Sequence, residues 1–187
     1  MAFTVSTFKS SMANQSGGAR PALYQIDING GAGITTASFS DSENILCKAA
    51  SIPPANIAPL AVNYAGRAYK WNGFRTYDNW TVTVINDENF GIRNKMMQWM
   101  RKLGGRLEGT RNSIFGEQIQ GAGVKDGDAT VTQLSTTGKP MQTYKFHYLW
   151  PTEIAGIPVD WSSDAIQEYT ITFAYDHWTH GSVVSAS

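Results

Sequence analysis

Several stretches of the chain alternate apolar and polar residues with the period of a β-strand. From Ala22 onward, Tyr24, Ile26 and Ile28 share one face while Gln25 and Asp27 take the other. The clearest strand, Trp80 to Ile85, sets Trp80, Val82 and Val84 against Thr81 and Thr83. Its Val and Thr are β-branched and suit a pleated ribbon, so this strand has an apolar core face and a polar, uncharged outer one. Between Met141 and Trp150, the side chains of Tyr144, Phe146, Tyr148 and Trp150 oppose Thr143, Lys145 and His147. The last ribbon sets Tyr169, Ile171, Phe173 and Tyr175 against Glu168, Thr170 and Thr172. A shorter run, Ile45 to Ala50, stops at Pro53-Pro54.

A single stretch changes period. Ile92, Met96, Trp99 or Met100, and Leu103 recur at helical spacing, which predicts a helix over about 87–103. Asn86 is its expected cap, Asp87 and Glu88 place negative charge at its positive end, and Gly104-Gly105 stops it. Thr136-Thr137-Gly138-Lys139 separates Val131–Ser135 from Met141–Trp150 as a hairpin turn would. Residues 104–128 are Gly-rich, with Ser113 to Gln120 a candidate strand. Residues 1–21 are small and polar and read as a flexible arm, 22–178 as a β domain, and 179–187 as a disordered tail. The fold class that follows is mainly β, sandwich or barrel, with one α-helix.

Charge narrows the functional classes. The 187 residues hold 15 Lys+Arg and 15 Asp+Glu, so formal net charge is zero, and charged residues make up only 16%. That is well below the roughly 25% of an ordinary soluble domain, and neutrality favours association over colloidal repulsion. A gripping nucleic-acid binder gathers cations into a patch, whereas the densest basic run, Arg93 to Arg106, lies mostly in the expected helix. No apolar run approaches a membrane span, and Met1 to Lys9 lacks a signal-peptide pattern, so folding in a cytoplasm is expected. Cys47 is the sole cysteine and reads as a small buried hydrophobe.

Motifs for chemistry are weak. Asp176-His177-x-x-His180 offers two imidazoles and no evident third ligand, and is read as surface histidines beside a terminal strand. Asp126-Gly127-Asp128 lacks the rest of a calcium loop and reads as a turn. Gly30-Gly31-Ala32-Gly33 and Gly121-Ala122-Gly123 do not lead into a phosphate-binding helix, and no Gly-x-Ser-x-Gly elbow is present. No catalytic, metal or cofactor residue is assigned, and no enzymatic activity is expected. Trp80 and Trp150 fall on core faces; Trp71, Trp161 and Trp178 lie near strand ends, where an indole can anchor a subunit contact.

Two phrases carry a family resemblance. Arg75-Thr76-Tyr77-Asp78-Asn79-Trp80 running to Asn86-Asp87-Glu88 is the most specific, and Leu149-Trp150-Pro151-Thr152 running to Asp160-Trp161 is the second. With Ala19-Arg20-Pro21, Cys47-Lys48-Ala49, Ile52-Pro53 and the closing ribbon through Asp176 and Trp178, they closely resemble the tail-tube proteins of contractile-tailed bacteriophages. The resemblance runs from about Arg20 to Trp178 and departs in the 30–44 and 104–128 segments.

It implies a structural virion subunit, assembled in the host cytoplasm, whose hexameric rings stack into a hollow tube inside the sheath. Strands of neighbouring subunits would join in an inter-subunit barrel. Implied partners are further copies of the chain, the sheath, the tape-measure protein, a baseplate initiator and a terminator, with DNA passing through without sequence-specific binding. A secretion-type tube, as in type VI systems, is the alternative. Arg75, Asp78, Trp71, Trp161 and Trp178 are the interface candidates; Thr81, Thr83, Thr170 and Thr172 are the lumen candidates.

Overall fold

A computed structural model describes residues 4–14, 17–30, 38–104 and 127–182. The elements run α1 (Val5–Asn14), β1 (Tyr24–Asn29), α2 (Asp41–Ile45), β2 (Cys47–Ala50), β3 (Asn56–Tyr64), β4 (Arg67–Thr76), β5 (Trp80–Ile85), α3 (Gly91–Gly104), β6 (Gly127–Leu134), β7 (Pro140–Ile154), β8 (Glu168–Ala174) and β9 (His177–Ser182). A seven-stranded antiparallel sheet in the order β1-β6-β7-β8-β5-β2, with β9 also on β7, forms the body; β3 and β4 make a separate two-stranded sheet.

The strand alternation places the core. Ile26, Ile28, Trp80, Val82, Val84, Ala129, Val131, Phe146, Tyr169, Ile171 and Phe173 are buried together. Trp80 stacks on Phe146 with ring centroids 4.5 Å apart and tilts against Phe173 at 5.6 Å. Helix α3 closes this face by burying Ile92, Met96 and Trp99. Trp99 lies so close to Gly127 that a Cβ there would sit 2.5 Å from the indole and from the Leu149 carbonyl. Glycine is therefore required by close approach and not by backbone freedom.

The sheet curls until its end strands approach. The Tyr24 hydroxyl on β1 donates to the Cys47 carbonyl on β2 at 3.0 Å and to that of Lys48. Asn44 on α2 donates to Asp27 on β1 at 3.1 Å, so the short helix clips the two ends together. Lys95 on α3 pairs with Glu43 of α2 at 2.6 Å. Burial raises the Glu43 pKa, but the Lys95 and Ser40 hydrogen bonds outweigh it and hold the carboxyl below its usual range.

Several expectations are corrected. The described residues contain three helices, not one. The arm expected over 1–21 contains α1, whose Thr4 hydroxyl accepts from the Thr7 amide at its start. Helix α3 begins at Gly91, because the Asp87 carboxylate accepts from the Gly91 amide at 2.8 Å and caps there. Residues 179–182 of the expected tail are strand, paired through Thr179↔Lys145 to Ser182↔Gln142.

Gly127 and Asp128, read as a turn, begin strand β6. Tyr148 does not share the core face of Phe146. Its φ of 58° makes a bulge, it is exposed, and Leu149 is buried in its place. The candidate strand Ser113–Gln120 lies outside the described residues.

Candidate subunit interface and channel face

The β3–β4 hairpin cannot satisfy its own apolar surface. Register pairs Leu60 with Trp71 and Val62 with Tyr69, which sets those side chains on one face with Tyr64 two residues further along β3. All five are exposed, Trp71 by 65%, and Phe74 near the hairpin base is exposed by 91%. A lone two-stranded sheet is marginal in water, so a face of this kind needs covering. Gly73 lets the two strands pinch, since a Cβ there would meet the Ala58 carbonyl at 2.4 Å.

The hairpin's base is tied to β9. The Trp178 indole N–H donates to the Pro54 carbonyl at 3.2 Å, and the Arg75 guanidinium carbon lies 6.0 Å from the Trp178 ring centroid. Arg75 and Trp178, two of the interface candidates, are therefore brought together, while Trp71 projects from the hairpin. Asp78 is exposed in the short link from β4 to β5. Trp161 stands apart from all of these, in the link from β7 to β8. It is fully exposed, and the Asp160 carboxylate accepts from the Ser162 amide at 2.9 Å and its hydroxyl at 2.8 Å, fixing the turn that presents it. These hydrogen bonds hold the Asp160 carboxyl below its usual pKa.

The four threonines do converge. Thr81 pairs with Thr172 and Thr83 with Thr170 across β5 and β8, so they form one hydroxyl patch. It lies on the sheet face opposite Trp80, Val82, Ile171 and Phe173, away from the core. No cation lies among these four positions.

Sequence reasoning missed the hairpin. Pro59 and the register shift between Ile57 and Pro59 break the alternation along β3, and the apolar residues of both strands look like an ordinary buried face. A discernible signal was Ala65-Gly66, where φ values of 51° and 77° form the tight turn.

Among the described residues, other groups give no reactive site. Burial pushes the Cys47 thiol up to about 12, leaving it inert. His177 stacks on His147 with centroids 4.6 Å apart, while His180 lies beside Trp178 and Tyr144. No group of three or more metal-ligating side chains occurs among the described residues, and no helix there is long and apolar enough to cross a membrane.

Known proteins resemble this chain in sequence and in fold. Residues 19–181 match the family model described as phage tail tube protein. The tail tube protein gp19 of Enterobacteria phage T4 is 29% identical over 164 residues, covering 86% of this chain and 90% of that protein. The tail tube protein of Serratia phage KSP90 is 20% identical over 173 residues, covering 92% and 94%. Among solved structures, a chain of the six-fold symmetrised anti-feeding prophage baseplate superposes with a TM-score of 0.62 at 13% identity, covering 89% of this chain and 97% of that one. A chain of the sheath–tube complex of the PVC extracellular contractile injection system gives 0.55 at 13% identity, covering 97% and 100%. At such identities the likeness speaks for the fold alone. The family match spans most of the sequence: the chain belongs to the phage tail tube protein family, and it is a structural subunit of a phage tail, not an enzyme.

Proposed function

We propose that copies of this chain close into six-membered rings, that the rings stack into the hollow inner tube within the contractile sheath, and that DNA leaves the virion through the lumen. The projecting β3–β4 hairpin carries this reading. It leaves a row of large apolar side chains without a core of their own, which a monomer has no use for and a polymer covers. The six-fold symmetry of the anti-feeding prophage baseplate supports the ring number. Closing strands across subunits would also protect the edges of β1 and β2, which each pair on one side only.

The threonine patch on β5 and β8 is the proposed channel lining. Hydroxyls without cations offer passing phosphates no place to lodge. The surrounding roles follow from that of a tube: a tape-measure protein inside, sheath outside, an initiator on the baseplate and a terminator at the far end. Negative-stain electron microscopy of the purified chain across a concentration series tests the proposal. Six-fold rings or hollow rods, alone or on a baseplate seed, are expected; a persistent monomer in both conditions overturns it.

A further inference from the structure

The two ends of strand β5 carry different appendages. Its Trp80 end adjoins the base of the hairpin, since the Trp80 indole donates to the Ser51 carbonyl and Thr76 lies just before the β4–β5 link. Its Ile85 end adjoins the link from β7 to β8, since Ile85 pairs with Glu168 and the Asn86 amide donates to the Gln167 carbonyl. A six-residue strand separates them by roughly 17 Å at about 3.3 Å per residue. Both appendages are apolar and exposed: Leu60, Tyr69 and Trp71 on the hairpin, Val159, Trp161 and Ile166 on the link.

Their charges are opposite. Residues 52–77 hold Arg67, Lys70 and Arg75 and no acidic side chain. Residues 155–167, the link itself, hold Asp160 and Asp164 and no Lys, Arg or His, while Glu168 just beyond is paired with Lys48 at 2.6 Å. A chain with zero net charge thus presents a basic apolar surface at one end and an acidic apolar surface at the other. Such a pair is complementary between copies and repulsive between like ends, which fixes polarity.

We propose that the hairpin of one copy docks head-to-tail on the 155–167 link of a second copy, with Trp161 packed against the Leu60, Tyr69 and Trp71 face and Arg67 and Lys70 against Asp160 and Asp164. The contact is heterologous, so it does not close into a dimer, and between the ends of successive rings its repetition generates an open stack. It rests on the tube reading and names the surface that receives the hairpin.

Charge reversal in two separate proteins tests it. One carries Arg67→Glu with Lys70→Glu, the other Asp164→Lys with Ala165→Lys, which leaves the Asp160 turn intact. All four positions are exposed, and circular dichroism verifies that each variant keeps the wild-type fold. Each variant alone is expected to lose at least tenfold in assembled mass by sedimentation, because both its ends then carry one sign. An equimolar mixture is expected to recover rods, since each variant's hairpin then meets an opposite link. Wild-type assembly by either variant alone, or failure of the mixture beside an assembling wild type, overturns the docking while sparing the tube. A wild type that assembles under no condition, seeded or not, overturns both.

Discussion

The guanidinium of Arg75 rests over the ring of Trp178, 6.0 Å from its centroid, although the two residues lie in strands that share no ladder. With the Trp178–Pro54 hydrogen bond at 3.2 Å, this contact ties the hairpin's base to β9. Trp178→Ala is expected to cost about 1–2 kcal/mol through the lost hydrogen bond and cation–π contact. Hydrogen exchange is the appropriate reading. Amides of 56–76 should exchange several-fold faster while those of β5 and β8 stay protected; equal protection throughout would show that the hairpin is held otherwise.

Charge reversal at Arg75 should weaken assembly through the same joint, leaving the monomer folded. Reversal at Asp78, in the next link, should act likewise. Rod yield by electron microscopy, beside circular dichroism of the monomer, checks both, and normal yield from the two variants excludes this role.

Gly127→Ala should be among the most damaging small substitutions. The added methyl would meet Trp99 and the Leu149 carbonyl at 2.5 Å, forcing α3 away from β7. Overpacking of this kind costs about 1–3 kcal/mol. Urea denaturation should show a lower midpoint, and Trp99→Phe in the same chain should recover part of it. No recovery would place the strain elsewhere.

How much of this was legible follows the regularity of each element. Trp80–Val84 alternates without interruption between apolar Trp, Val and Val and polar Thr and Thr, and the strand runs Trp80–Ile85 with Trp80, Val82 and Val84 buried. The pairing of Thr81 with Thr172 and of Thr83 with Thr170 was not legible, because register is a property of two strands and alternation describes only one. The hairpin eluded periodicity for a related reason: its apolar face is exposed, and alternation cannot tell a face awaiting a neighbour from one already covered. The start of α3 moved because Asp87, placed inside the expected helix, serves instead as its cap.

The β7–β9 ladder should be sensitive to acid. Burial depresses the His147 pKa, and the neighbouring His177 and Lys145 depress it further against the opposing pull of Asp128. A depressed histidine contributes stability that is present above its unfolded pKa of about 6.5 and is lost as pH falls through the folded value. The denaturation midpoint should therefore fall on acidification below about 6.5. His147→Gln should flatten this dependence; an unchanged profile would assign the acid response to other groups.

Placing cations on the threonine patch separates assembly from transport. Thr83→Lys with Thr170→Lys should leave rods intact and lower the yield of productive infection at least tenfold, because lysines would hold the phosphates of DNA in transit. Unimpaired infection by particles bearing the variant tube would put this face outside the channel.

Strand β7 changes phase twice along its length. Phe146 faces the core at an even position, the bulge at Tyr148 hands that role to Leu149 and Pro151, and a second irregularity between Pro151 and Glu153 returns it to Ile154, opposite Ile171. The strand thus behaves as a typographic line with two inserted characters, each shifting the meaning of everything after it until the next. Deleting Tyr148 alone would set Leu149 two residues after Phe146, on the same face without a bulge, and deleting Thr152 alone would do the same for Pro151 and Ile154. A lineage could therefore lose or gain either residue singly with the core face kept, whereas loss of Trp150 would set Leu149 and Pro151 on opposite faces.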